Sequence, residues 1–254
     1  MTKKTFRFLL LTGLAFVVLF SCRKGSYPSG DPTKNYFPVV FGKYVTYDVD
    51  SIYYVTTFDT SAEGKMDTIC GEYEVKSQMK YCITDTARDV DDSLMYMVSV
   101  FRRYYDGGLW QQEGGVLYIK QKPDSIVLSQ DGNKYVKMMF PIQNGKTWFG
   151  NDQVQVNIAQ NAYFNNWTYT YQNIGKSFNN NLHIFDNTVT VLEDDESVNY
   201  PYVNAKLSGY RTYAKEVYAY NIGLVYKEWT HFTYTPPFTC ANGYTVVMRA
   251  IDHN

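Results

Sequence analysis

The chain has 254 residues, 45% hydrophobic, 17% aromatic and 19% charged, with a formal net charge of −1. That balance holds no basic excess for gripping a phosphate backbone, which removes nucleic acid from the partner classes. Tyrosine is the commonest aromatic at 25 copies and long Ala/Leu/Glu stretches are missing, so the composition belongs to strands rather than helices.

The first segment is a targeting signal. Lys3, Lys4 and Arg7 precede Phe8 to Phe20, which is apolar except for Thr12 and Gly13. Such a run has the length of a signal-peptide core and falls short of the roughly 20 residues that span a bilayer. Leu19-Phe20-Ser21-Cys22 resembles the lipobox of bacterial lipoprotein signals, although Phe20 is bulkier than the usual residue there. The resemblance implies cleavage before Cys22 and acylation of its thiol and amine, and two or more chains hold a protein on a membrane effectively permanently. Residues 1–21 are then the signal, 22–35 a flexible tether rich in Gly, Pro, Ser and charge, and 36–254 a single domain. Without Lys3, Lys4 and Arg7 the mature chain keeps 21 basic against 25 acidic residues, a net charge of −4. Arg23 after the cysteine, where Asp would retain the protein, leaves outer-membrane delivery open. The expected place is the cell envelope, lipid-anchored at the outer membrane; the face it projects from is not fixed by these residues.

Apolar alternation predicts strands at Lys43–Val49, Tyr73–Ile83, Leu94–Arg103, Val116–Gln121, Tyr135–Phe140, Thr188–Glu193, Leu224–Tyr234 and Tyr244–Ile251. Asp131-Gly132-Asn133, Gln143-Asn144-Gly145, Ala241-Asn242-Gly243 and similar turn signals lie between them. The fold expected is mainly β: an antiparallel meander forming a curved sheet or barrel, with at most one or two short helices. Two stretches depart from this texture. Residues 151–181, dense in Asn, Gln and aromatics, read as a long excursion across the sheet. Ser208–Tyr220 reads as a short helix capped by Ser208, with Tyr213, Val217 and Tyr220 on one face.

Two segments carry a resemblance. Phe140-Pro141-Ile142-Gln143-Asn144-Gly145-Lys146-Thr147-Trp148 and Glu216-Val217-Tyr218-Ala219-Tyr220-Asn221-Ile222-Gly223-Leu224-Val225-Tyr226-Lys227-Glu228 resemble stretches of a family of Bacteroidota lipoproteins. Asn221 stands where Lys is commoner, and the resemblance implies an envelope lipoprotein without bringing a function. Both segments also have a scaffold explanation: Gly145 turns the chain so that Trp148 folds back, and Gly223 lets it enter the next strand through a left-handed conformation.

No reaction chemistry stands out. His183, His231 and His253 are far apart and in no metal spacing, and no nucleophile elbow or phosphate-binding glycine loop occurs. No catalytic residue, metal ligand or cofactor is assigned. The acidic groups Asp85/Asp89/Asp91/Asp92 and Glu193-Asp194-Asp195-Glu196 lack EF-hand spacing and read as solvated turns. Once Cys22 is acylated, Cys70, Cys82 and Cys240 remain; Cys70 with Cys82 across a hairpin is the pairing taken forward, against three reduced thiols or a pair with Cys240. Asp followed by Ser or Thr and an apolar or small residue recurs, which resembles the O-glycosylation pattern of Bacteroidota exported proteins and marks Ser51, Thr68, Thr86, Ser93 and Ser125 as candidate acceptors.

Two function classes follow. The first is a non-catalytic lipoprotein that binds a glycan or apolar ligand, or an envelope protein partner. Aromatic rings supply flat faces for sugars, and Tyr163, Trp167, Tyr169 and Tyr171, set among polar residues, are the candidate platform. The second is an envelope hydrolase whose site assembles only in the fold. A structural accessory subunit of an outer-membrane complex is a third reading.

Overall fold

The computed structural model describes residues 32–254 except 61–65, 105–107, 158, 201–203, 205 and 237–239. Cys22 and the leader lie outside the described residues. Among the described residues thirteen strands make one antiparallel sheet: β1 (Tyr44–Thr60), β2 (Met66–Arg88), β3 (Leu94–Tyr104), β4 (Gln111–Gln112), β5 (Leu117–Gln121), β6 (Ser125–Gln130), β7 (Asn133–Met139), β8 (Thr147–Phe149), β9 (Thr168–Asn179), β10 (Ile184–Val198), β11 (Gly209–Ala219), β12 (Gly223–Tyr234) and β13 (Ala241–His253). Spatial order is β7-β6-β5-β3-β2-β1-β13-β12-β11-β10-β9-β8, with β4 beside β3. The expected antiparallel, barrel-like β fold is what forms, and all eight predicted strands are present.

The sheet curls until its two end strands nearly meet. The Val136 amide on β7 donates to the Gly150 carbonyl just past β8 at 2.8 Å, and the Trp148 indole donates to the Val136 carbonyl at 2.7 Å. Closure depends on Gly150, because a Cβ there would lie 2.4 Å from the Tyr169 ring. This near-closure covers part of the open edges that invite aggregation.

Alternation along the strands fills the interior. Ile83, Val98, Leu117, Ile119 and Ile126 pack with Trp148, Trp167, Tyr169, Tyr171, Val189, Val191 and Tyr218 in one buried cluster. A second cluster joins Val45, Tyr47 and Val49 to Phe185, Val217, Val225, Met248 and Ala250.

Several expectations need correction. Ser208–Tyr220 is not helical: Gly209–Ala219 is strand β11, paired with β10 and β12 along its length. Its inward set, Thr212, Ala214, Glu216 and Tyr218, has period two, but two polar members disguise it. Gly223 (φ +103°) therefore serves a hairpin turn between strands instead of a helix end. The 151–181 excursion is largely the 3₁₀ turn Ala159–Phe164 and strand β9. The 3₁₀ turn Pro32–Tyr36 starts inside the segment 22–35 assigned to the tether, and there the buried Tyr36 hydroxyl donates to Asn187 at 2.6 Å. Cys70 bonds Cys240, with Cα atoms 5.1 Å apart, and Cys82 is free. A Cys70–Cys82 bridge is ruled out because both lie on β2, opposite Thr56 and Tyr44, which separates them by about 40 Å of extended chain.

Candidate functional site

Strand register brings four charged side chains together inside the barrel. Glu216 on β11 lies directly opposite Lys227 on β12. Glu193 occupies the irregularity in β10 between Leu192 and Asp194, which turns it inward. Lys137 arrives on β7 from the far end of the sheet, and only barrel closure places it there. Lys137 pairs with Glu193 and, at 2.8 Å, with Glu216 Oε1, which Lys227 also approaches at 3.1 Å. The Tyr218 hydroxyl donates to Glu216 Oε2. Lys137, Glu193 and Glu216 are each buried to 5% exposure or less.

The two carboxyls are driven apart electrostatically. Burial, and next the charge on Glu216, push Glu193 above the usual carboxylate range. Burial also opposes ionisation of Glu216, but Lys137 and Lys227 together outweigh it and hold Glu216 down to about 2. For Lys227 burial works against the charge, and Glu216 and Glu193 overcome it, so the ammonium is held above its ordinary range. Two acids and two ammonium groups leave the cluster formally neutral, the condition under which buried charge is tolerated.

Two cavities flank this cluster, with Leu128, Gln130, Lys137 and Lys227 on the wall of both. The first, of ≈ 120 Å³, lies at the end where β1 starts, under Phe37 and Pro38, and is lined mainly by apolar groups such as Tyr47, Ile83, Val98, Ile119 and Leu224. An apolar cavity of roughly 150 Å³ holds one benzene-sized molecule, so this one has room for about a single ring. The second, of ≈ 270 Å³, lies toward the opposite end beside the 3₁₀ turn. Aromatic rings of Tyr135, Tyr163, Phe164, Trp167, Tyr169 and Trp229 share its wall with Asp131, Asn133, Asn161 and Glu193.

Hydrogen bonds fix most of this second wall. The Trp167 indole donates to the Tyr163 carbonyl at 2.7 Å, the Tyr169 hydroxyl to Asn151 at 2.8 Å, and the Tyr163 and Tyr244 hydroxyls meet at 2.9 Å. His231 stacks on Tyr163 with centroids 4.0 Å apart, and burial lowers its pKa. One donor there is left over: Trp229 Nε1 is buried and has no hydrogen-bond partner among the described residues.

The predicted platform is thus relocated. Trp167, Tyr169 and Tyr171 are 3%, 1% and 0% exposed, so they offer no outer face to a glycan; between them Thr168 is exposed and Thr170 half-buried. Tyr163, Trp167 and Tyr169 instead line the second cavity, whereas Tyr171 is locked in the core by hydrogen bonds to Met139. Among the candidate acceptors Ser51 and Ser125 are buried, because they fall on the packed phase of β1 and β6. Thr86 is exposed, and Ser93 donates to Asp91 at 2.6 Å. The side chain of Thr68 lies outside the described residues. Lys120 occupies the first acidic turn, 2.9 Å from Asp89 and 2.8 Å from Asp91. The second group is no solvated turn: Glu193 to Glu196 lie in β10 with Glu193 buried, burial raises Asp194 to about 6, and Arg211 pairs with Asp195 at 2.7 Å.

No protein-family model matches the sequence, and no curated protein matches it. Among solved structures the chain is similar to a Bacteroides fragilis protein, inferred to be exported, with a YmcC-like fold: 12% identity over 85% of this chain and 98% of that one, TM-score 0.38. It is also similar to a lipoprotein candidate from Parabacteroides distasonis, at 14% identity over 84% of this chain and 96% of that one, TM-score 0.25. At these TM-scores neither similarity bears on function, which has to be read from this chain's own residues.

Proposed function

We propose that the protein is an envelope lipoprotein, anchored at the outer membrane through acylated Cys22, that binds a small glycan unit in the second cavity without transforming it. The observation that carries this reading is the aromatic wall of that cavity, which includes Trp229, a residue whose buried indole N–H has no hydrogen-bond partner among the described residues. A buried donor without an acceptor costs about 1–3 kcal/mol, a deficit that a ligand hydroxyl relieves. The surrounding rings suit the C–H faces of a sugar, and Asn133, Asn161, Asp131 and Glu193 surround them with hydrogen-bonding groups. A volume of ≈ 270 Å³ sits just below the range of drug-sized sites, roughly 300–1,000 Å³, and favours one sugar ring over a chain.

Binding is favoured over hydrolysis by the state of the carboxylates. A glycosidase works with a pair of carboxyl groups at the substrate; of the two on this cavity's wall, Glu193 and Asp131, Glu193 is tied up by Lys137. Glu216 has Oε1 occupied by two lysines and Oε2 by Tyr218, and it faces the first cavity. The test is titration of the whole chain with a panel of monosaccharides, followed by intrinsic fluorescence. A sugar that binds should lose about 2- to 10-fold in affinity on Trp229→Phe, the worth of one hydrogen bond, with no hydrolysis product by chromatography. Equal affinity for Trp229→Phe and the parent, or release of product, would overturn the reading.

A further inference from the structure

The strand ends sort the exposed apolar side chains by barrel end. The start of β1, the end of β13 and the β2–β3 turn lie together, as the pairings Val45↔His253 and Tyr44↔Cys82 require. Asn254 stitches this end, its side chain donating to the Gly42 carbonyl at 3.0 Å and accepting from the Tyr44 amide at 2.8 Å. Phe185 lies 6.5 Å from His253 by ring centroid, which brings the β9–β10 turn alongside. On these turns Val40, Phe41, Val90, Leu182 and Ile184 stand out into solvent, Phe41 at 68% and Ile184 at 70% exposure.

We infer that this end of the barrel rests on the lipid surface, with those five side chains entering the interface, and that the second cavity is thereby turned away from the membrane. The inference rests on the lipid anchor of the proposed function. Cys22 is ten residues before Pro32, and ten residues of chain reach at most about 35 Å, so the end that carries Pro32 stays within that distance of the bilayer. The opposite end also exposes apolar groups, Leu109 among them, and the attachment point decides between the two. Acidic residues on the β2–β3 turn do not oppose docking strongly. Lys120 holds Asp89 and Asp91, and Arg88 stands 3.9 Å from Asp92. Contact therefore relies on apolar insertion and needs no excess of anionic lipid.

The experiment uses the full acylated chain in phosphatidylethanolamine/phosphatidylglycerol vesicles in which part of the acyl chains is brominated. Phe41→Trp and Ile184→Trp report on the proposed face and Leu109→Trp on the opposite end, each read after subtraction of the parent emission. Quenching of the first two at least twofold stronger than that of the third is expected, with little change when phosphatidylglycerol is omitted. Equal quenching at the three positions, or none, overturns docking. Protection of Phe41→Trp without quenching, together with a dimer in sedimentation, would assign the face to a second copy and also overturn it. Flotation of the parent, lost in Cys22→Ser, reads the anchor separately; a parent that does not float removes the anchor and the docking with it.

Discussion

Replacing Lys137 by Met removes a charge from the buried cluster while keeping most of the side-chain volume. Glu193 then loses the one ion-pair partner found for it among the described residues, and Glu216 keeps Lys227 at 3.1 Å. The interior would hold an unpaired carboxylate unless Glu193 takes up a proton. At pH 7, protonating an acid whose ordinary pKa is near 4.3 costs about 4 kcal/mol, at 1.36 kcal/mol per unit, and breaking a buried pair typically costs 3–5 kcal/mol. The two routes agree. The sign with pH follows from a folded pKa raised above the unfolded one: the cost is full above the folded value, shrinks as pH falls below it and is gone below the unfolded value. By the same arithmetic it shrinks to about 1 kcal/mol at pH 5. Urea unfolding at both pH values reads this directly. Adding Glu193→Gln, which removes the stranded charge, should restore at least half of the loss at pH 7. A single variant within 0.5 kcal/mol of the parent at pH 7, or a loss that is the same at pH 5 and pH 7, would refute the charge balance described for the cluster.

Trp167→Ala should behave as a core truncation, lowering stability by about 3–5 kcal/mol in denaturant unfolding; a change under 1 kcal/mol would place the ring at the surface after all. Gly150→Ala should lower the melting temperature, since its Cβ collides with the Tyr169 ring at 2.4 Å, and the companion Gly114→Ala, which meets nothing within 4 Å, should not. Cys70→Ser should destabilise by about 2–5 kcal/mol, because the bridge closes a loop with sequence separation 170, and peptide mapping without reduction should recover Cys70 joined to Cys240. Below pH 5 the parent should lose stability as Glu216 is forced to accept a proton. Its folded pKa is depressed to about 2, so its contribution is present above the unfolded value and is lost as pH falls.

What the sequence disclosed was set by where its polar residues point. Strands whose inward phase is apolar, such as Leu94–Tyr104 with Val98 and Val100, announce themselves by alternation. Strand β11 does not, since Thr212 and Glu216 take inward positions that a pattern reader assigns to solvent. The cluster was hidden for the same reason: Lys137, Glu193, Glu216 and Lys227 look like surface charges until closure of the barrel sets β7 against β9 and β10. The polar neighbours of Tyr163, Trp167 and Tyr169 suggest exposure in the sequence, whereas in the fold those neighbours are the outward half of a strand or a turn. The Cys70–Cys240 bond depends on β13 returning to β1, a pairing between the first and last strands that local spacing does not encode.

The most direct test of the central claim, a ligand site inside the barrel at Trp229, is to follow the indole N–H resonances of the 4 tryptophans by NMR during titration with a sugar. The account predicts a large, saturable shift for Trp229, whose N–H is unpartnered, and small shifts for Trp148 and Trp167, whose N–H groups are already bonded to Val136 and Tyr163. Saturable shifts at Trp110 alone, with Trp229 unmoved, would place the ligand outside the barrel and contradict it.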